Sequence, residues 1–153
     1  IEKYQGIPSL WTTLEGGGSG ISSNECMIWS ELLIDKYADK LNWHSLSYNE
    51  SLPWSKSFYG KYSEKWVWWG LCMNKKIEWT ESFIEKNIQK INWWNFSIND
   101  GLPWSSLFIK KYEEKWKWNS FFGFSNMKNF WIKGFLPYLD DTLIEEVLVK
   151  IGK

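Results

Sequence analysis

The chain has 153 residues, 44% of them hydrophobic, enough for one continuous core, and its 18 basic and 18 acidic residues cancel. Zero net charge removes any global attraction to nucleic acid or an anionic membrane surface, so a charged partner must be read by local patches. All 18 basic residues are lysine, so the guanidinium fork that grips phosphate and guanine bidentately is missing, which counts against nucleic acid as a partner.

In chain order, Ile1 to Tyr4 and Trp11 to Leu14 echo the I-x-K-Y and W-x-x-L of later segments. Residues 1–20 therefore read as a degenerate first unit or as a fused peptide. Gly16 to Gly20, GGGSG, has the composition of a flexible linker or inserted loop. The first residue is Ile1 and not Met, which fits a fragment or a processed product.

From 21 to 124 the chain repeats itself. Trp43, Trp68, Trp93 and Trp118 fall 25 residues apart, as do Trp29, Trp54, Trp79 and Trp104. Leu33, Phe58, Phe83 and Phe108 form a further column, and Asn24, Asn49, Asn74 and Asn99 another. The unit reads W-x-x-L-S-x-N-x-x-L-P-W-S-x-x-F-I-x-K-Y-x-x-K-W-x, clearest from Trp43 to Val67 and from Trp93 to Lys117. A fixed period in this range marks stacked repeats, none of which buries its apolar face alone.

Within a unit, Trp54, Phe58, Tyr62 and Trp66 fall four apart, as do Trp104, Phe108, Tyr112 and Trp116, which predicts one amphipathic helix. Pro53 and Pro103 suit its first turn, and Ser30, Ser55, Thr80 and Ser105 are its candidate caps. The other half, Trp43 to Asn49 and its copies, predicts a short helix or 3₁₀ turn closed by Asn. Residues 125–153 read as a C-terminal cap. There Asp140, Asp141 and Thr142 open a helix whose Leu143, Ile144, Val147, Leu148 and Ile151 form an apolar face, with Lys150 at its end. The expected fold is all-α: a solenoid with two short helices per unit and a capping helix.

The W-x-W, L-S-x-N and Trp-opened segments, on Trp68, Leu46, Ser47, Asn49, Trp54 and their copies, resemble tryptophan-rich tandem repeats of giant DNA viruses of the mimivirus kind and of some bacteria. The resemblance covers about residues 21–121. Many of those arrays place Asn-Pro after L-S-x, whereas Glu50, Lys75 and Asp100 follow the asparagines here. The resemblance implies a repeat fold and no particular activity.

Fourteen tryptophans invite a stacking ligand, but most belong to core columns. The column Leu41, Trp66, Ile91, Trp116 exchanges indole for aliphatics, which suits space filling. The column His44, Trp69, Trp94, Asn119 mixes polar residues with tryptophan and so predicts a surface position. Equivalent residues of adjacent units should lie about 10 Å apart, making these four the candidate ligand-binding residues. Lys36, Lys61, Lys86 and Lys111 recur with Lys40, Lys65, Lys90 and Lys115 one turn later. They form either a ridge for an anionic ligand or, as the residues themselves favour, solvated helix-end charges diluted by Asp39, Glu64 and Glu114.

No catalytic motif stands out, and Asp140 with Asp141, Glu113 with Glu114 and Glu145 with Glu146 read as solvated charges, so the chain is not expected to be an enzyme. The asparagine column reads as structural, each Asn closing a turn and bonding neighbouring backbone. Cys26 and Cys72 lack C-x-x-C spacing and His44 is the only histidine, so no metal site or cofactor is expected. Both cysteines read as small buried or half-buried hydrophobes of a reducing compartment. No signal peptide is visible and no apolar run approaches the roughly 18 residues of a membrane span, so the default location is cytoplasmic. The expected function is a non-enzymatic module binding a protein or peptide, or a second copy of itself, along one face. The alternative is a glycan or single-stranded nucleic-acid binder using the exposed tryptophans and the lysine ridge.

Overall fold

A computed structural model of the chain describes residues 20–121 and 127–136, together with 145, 146 and 149. Among them there is no strand: the fold is all-α, built from very short helices. The segment at 1–19 and most of the expected capping helix lie outside the described residues; Glu145, Glu146 and Val149 are helical and exposed. The chain divides into two compact units, Ile1–Glu78 and Trp79–Lys153.

The first unit holds a 3₁₀ turn, Gly20–Ser23, then α1 (Glu31–Tyr37), α2 (Trp43–Tyr48), α3 (Lys56–Lys61) and α4 (Trp68–Leu71). The second holds α5 (Glu81–Lys86), α6 (Trp93–Ser97), α7 (Ser106–Lys111), α8 (Trp118–Phe121) and a π-type helical segment, Phe130–Phe135. Helices α1, α3, α5 and α7 each begin 25 residues after the last, as do α2, α4, α6 and α8.

Local chemistry sets the helix starts. Ser30, Ser55, Thr80 and Ser105 are N-caps whose side-chain oxygens accept from the amides of Leu33, Phe58, Phe83 and Phe108 at 3.3, 3.1, 3.3 and 3.1 Å. Asn42 and Asn92 cap α2 and α6 in the same way. Pro53 and Pro103 stand two residues ahead of their caps, outside the first turn, so they stiffen the approach and do not open the helix.

The helix expected over Trp54 to Trp66 forms only in its middle part. Helix α3 has six residues; Trp54 precedes its cap and Trp66 follows a turn closed by the Lys65 amide on Tyr62 O. The four rings still converge: Trp54 meets Phe58 at 5.7 Å and Trp66 at 5.0 Å, and Phe58 meets Tyr62 at 5.3 Å. In the second unit Trp104, Phe108, Tyr112 and Trp116 repeat the cluster, and Phe130 of the π-type segment joins it 5.0 Å from Trp104. Phe58 in the first unit, and Phe96, Phe108 and Phe130 in the second, are fully buried, each stabilising by about 1.5–3 kcal/mol through burial.

The core tryptophans are fixed by their indole N–H as well as by packing. Trp29, Trp54 and Trp104 donate to Asn24 O, Asn49 O and Asn99 O at 3.1, 2.9 and 3.0 Å. Trp43 and Trp118 donate to Ala38 O and Glu113 O. Trp66 and Trp116 reach back to Tyr59 O and Ile109 O. The alternating column Leu41, Trp66, Ile91, Trp116 is buried throughout.

Serine and asparagine tie successive periods together. Buried Ser22 and Ser47 accept from the amides of Asn42 and Val67 at 2.9 Å, 20 residues on; Ser97 accepts from Lys117 in the second unit. Buried Asn49 donates to Ser22 O and Asn24 O at 3.1 and 3.3 Å, and Asn74 repeats this with Ser47 O and Asn49 O at 3.2 and 3.3 Å. Each asparagine also takes the amide two residues ahead on its Oδ1. The asparagine column is structural, and its bonds reach backbone a full period away. Cys72 is buried but Cys26 is exposed, against expectation, because it sits in the Asn24 turn; neither forms a disulfide.

Candidate functional site

The residues singled out on the sequence fall at the surface. In the first unit His44 and Trp69 are exposed, Trp69 to 43%. In the second, Trp94 is exposed to 51%, and Asn119 is exposed too. The first residue of a short helix is Trp68 or Trp93, half-buried; the ring that follows points outward because it stands roughly 100° further round the helix.

Trp69 lies flat against His44, ring centroids 5.4 Å apart and planes 20° from parallel. Tyr48, one helical turn beyond His44, meets Trp69 edge-on at 4.9 Å and His44 at 5.5 Å. Two positions of one column are thus in ring contact, nearer than the helix-packing distance of about 10 Å. Close approach of the backbones permits this. Gly70 stands where a Cβ would come within 2.8 Å of Ser47 Cβ and 3.2 Å of Tyr48 Cδ2, so only glycine lets α4 seat on α2. Burial raises the pKa of Tyr48 above the ordinary phenol range.

Beside this trio lies a cavity of about 230 Å³ lined by Ser23, Glu25, His44, Ser45, Tyr48 and Asn49. Of these only His44 was a candidate on the sequence. Glu25, Tyr48 and Ser23 were missed, because the column Ser23, Tyr48, Met73, Ile98 keeps no constant residue type and Glu25 stands in no motif.

The lysines are distributed otherwise than as a row of open charges. Lys61 reaches Asp35 at 2.6 Å and Glu31 at 3.5 Å on α1, and Tyr62 donates to Asp35 at 2.7 Å. In the second unit Lys111 reaches Glu81 at 2.7 Å and Glu85 at 2.9 Å, and Tyr112 donates to Glu85 at 3.0 Å. Lys65 lies 3.9 Å from Asp39 and over the Trp43 ring. Lys36 sits over the Tyr37 ring, and Lys40 and Lys90 also have partners. Lys86 and Lys115 are exposed. The main acidic partners come from the helix one period earlier and not from the sequence neighbours Glu64 and Glu114.

The Lys61 hydrogen bond, with that of Tyr62, holds the Asp35 carboxyl below its ordinary pKa, and Lys111 and Tyr112 do the same for Glu85. Lys61 and Lys111 are correspondingly raised by their carboxylate hydrogen bonds. Burial, and then the adjoining carboxylates, raises Tyr62 and Tyr112. Tyr59 is pushed up to about 12, chiefly by burial and then by Glu64.

No group of three or more His, Cys, Asp or Glu among the described residues is placed to hold a metal ion. No helix among them is long and apolar enough to cross a membrane. The chain matches no family model, no curated protein and no solved structure.

Proposed function

We propose that the chain is a non-enzymatic helical-repeat recognition module that binds a protein or peptide through exposed tryptophans, Trp69 in the first unit and Trp94 in the second. The observation that carries this reading is a contrast among the tryptophans. Among the described residues, at least seven are pinned by indole hydrogen bonds to backbone carbonyls, whereas Trp69 and Trp94 present large apolar surface to solvent at a position that polar residues also occupy. Exposed indoles with supported orientation are the side chains that dominate protein interfaces. The lysine pairs favour a protein partner over a polyanion, because salt-bridged Lys61 and Lys111 would each give up a carboxylate partner to bind phosphate.

Selection of displayed random peptides on the full chain tests the reading. Binding should fall at least tenfold in a Trp69→Ala/Trp94→Ala double variant whose helical circular dichroism is unchanged. Peptides that bind the variant equally well, or a variant that unfolds, overturn it. Tryptophan quenching by an oligosaccharide or oligonucleotide, lost in the same variant, would replace the peptide with a ligand that stacks on an exposed indole.

A further inference from the structure

The aromatic column of His44 and Trp69 stops one period before His44. Position 19 is Ser where later periods carry His44, Trp69 and Trp94, and position 23 is Ser where the next carries Tyr48. On one side of His44 and Tyr48 the column continues, with Trp69 flat on the imidazole and edge-on to the phenol. The cavity opens on the other side. Its lining includes Ser23 and Glu25, which belong to the period before His44, so it faces away from Trp69.

Its size and wall narrow the occupant. A cavity of about 230 Å³ corresponds to roughly eight waters of liquid volume and is smaller than pockets for drug-sized ligands, so it suits a single mono- or bicyclic ring. Two walls are aromatic. The polar groups are largely committed: Ser23 Oγ donates to Gly20 O, and the Asn49 side chain is bonded at both ends. Glu25 is the charge at the rim, exposed and without a hydrogen bond or ion pair to the described residues.

We propose that this cavity binds an aromatic ring bearing a nearby amine, as a tryptophan or tyrosine beside a basic group in a partner peptide presents it. The ring stacks on the free face of His44 and the ammonium pairs with Glu25. A neutral ring meets only the stacking surface, and an anionic one is repelled by the carboxylate. The proposal rests on the peptide-recognition reading for its partner, and its geometry lies wholly within the first unit.

His44 is the only histidine, so its two ring C–H signals in a ¹H–¹³C spectrum report on the cavity without assignment of the whole chain. The full chain is titrated with tryptamine and, separately, with indole-3-acetate. Tryptamine should shift both signals upfield with saturation at a Kd on the order of 1 mM, at least fivefold tighter than indole-3-acetate. Glu25→Gln should erase that preference, and Trp69→Ala should leave the tryptamine shift in place. The absence of saturation up to about 10 mM, several Kd by the same scale, overturns the proposal. So do equal affinities for the two probes, or a tryptamine response that disappears in Trp69→Ala, which would place the ligand on the exposed indole. Tryptamine binding as expected, together with selected peptides indifferent to Trp69 and Trp94, would uphold the cavity while removing the wider aromatic-face reading.

Discussion

Replacing Asn74 separates a hydrogen-bonding role from mere space filling. Its side chain is 1% exposed; Nδ2 donates to Ser47 O at 3.2 Å and Asn49 O at 3.3 Å, and Oδ1 accepts the Lys76 amide at 2.9 Å. Asn74→Ala removes all three bonds. Each is worth about 1 kcal/mol net, and a buried carbonyl left unpaired costs about 1–3 kcal/mol more. Asn49 O keeps the Trp54 indole at 2.9 Å, so the penalty falls on Ser47 O. The total is about 4–6 kcal/mol, a large share of the 5–15 kcal/mol typical of a domain. Urea unfolding followed by tryptophan fluorescence should show the midpoint falling with little change in m-value. Asn74→Asp preserves shape and the Lys76 bond but turns an acceptor toward two carbonyls, so it should destabilise more than alanine at pH 7. Burial against two carbonyls raises the folded pKa of the new carboxyl, so the variant's deficit should shrink as pH falls from that raised value toward about 4, where the carboxyl is protonated and can donate again. A loss under about 0.5 kcal/mol for alanine, within the range of surface substitutions, or an aspartate variant as stable as the alanine one at pH 7, would refute the reasoning.

Two glycines of the first unit should respond in opposite directions to alanine. Gly70→Ala places a methyl 2.8 Å from Ser47 Cβ and 3.3 Å from Ser47 backbone carbon, and should cost about 1–3 kcal/mol in chemical denaturation through overpacking. Gly60 in α3 faces open space, so Gly60→Ala should gain about 0.5–1 kcal/mol from helix propensity alone. In the second unit, Trp104→Phe loses the bond to Asn99 O and buried volume and should cost about 2–3 kcal/mol. Trp94→Phe, at a 51% exposed position, should stay within about 0.5 kcal/mol. Melting temperature against pH should form a plateau. Asp35 and Glu85 are depressed in the fold, so their contribution is present above their ordinary values of 3.8 and 4.5 and is lost as pH falls through the folded values. Lys61 and Lys111 are raised, so theirs is complete below 10.5 and is lost as pH rises through the folded values. Asp35→Asn with Glu85→Gln should make the acid limb less steep, and an unchanged limb would remove these pairs as its cause.

What the sequence made legible was local. Ser30, Ser55, Thr80 and Ser105 announce themselves as caps because a cap and its amide lie three residues apart. The exposure of Trp69 and Trp94 was readable because their column tolerates His44 and Asn119. Helix length was not readable. The fourfold spacing of Trp54, Phe58, Tyr62 and Trp66 mimics one helix, yet it arises from rings converging across a cap and a turn, with the Trp66 indole bonded to Tyr59 O. Hydrophobic periodicity carries no trace of that bond. The acidic partners of Lys61 and Lys111 were likewise hidden, because Asp35 and Glu81 lie 26 and 30 residues earlier and meet them only through the register of packed helices. The cavity was hidden for a related reason: Ser23 and Glu25 meet His44 and Tyr48 only through the packing of one period on the next.

The asparagine and serine bonds between periods join residues 20, 25 or 27 apart. Loop closure over so short a span has a small entropy cost, and topologies dominated by near-neighbour contacts fold quickly. A period can therefore assemble on the one before it as soon as about two dozen residues are free to move, without waiting for the distant end of the chain. The same arithmetic makes the chain tolerant in one direction only. Adding or removing a whole period preserves every separation, whereas deleting one residue between Asn49 and Asn74 shifts the donor away from both carbonyls.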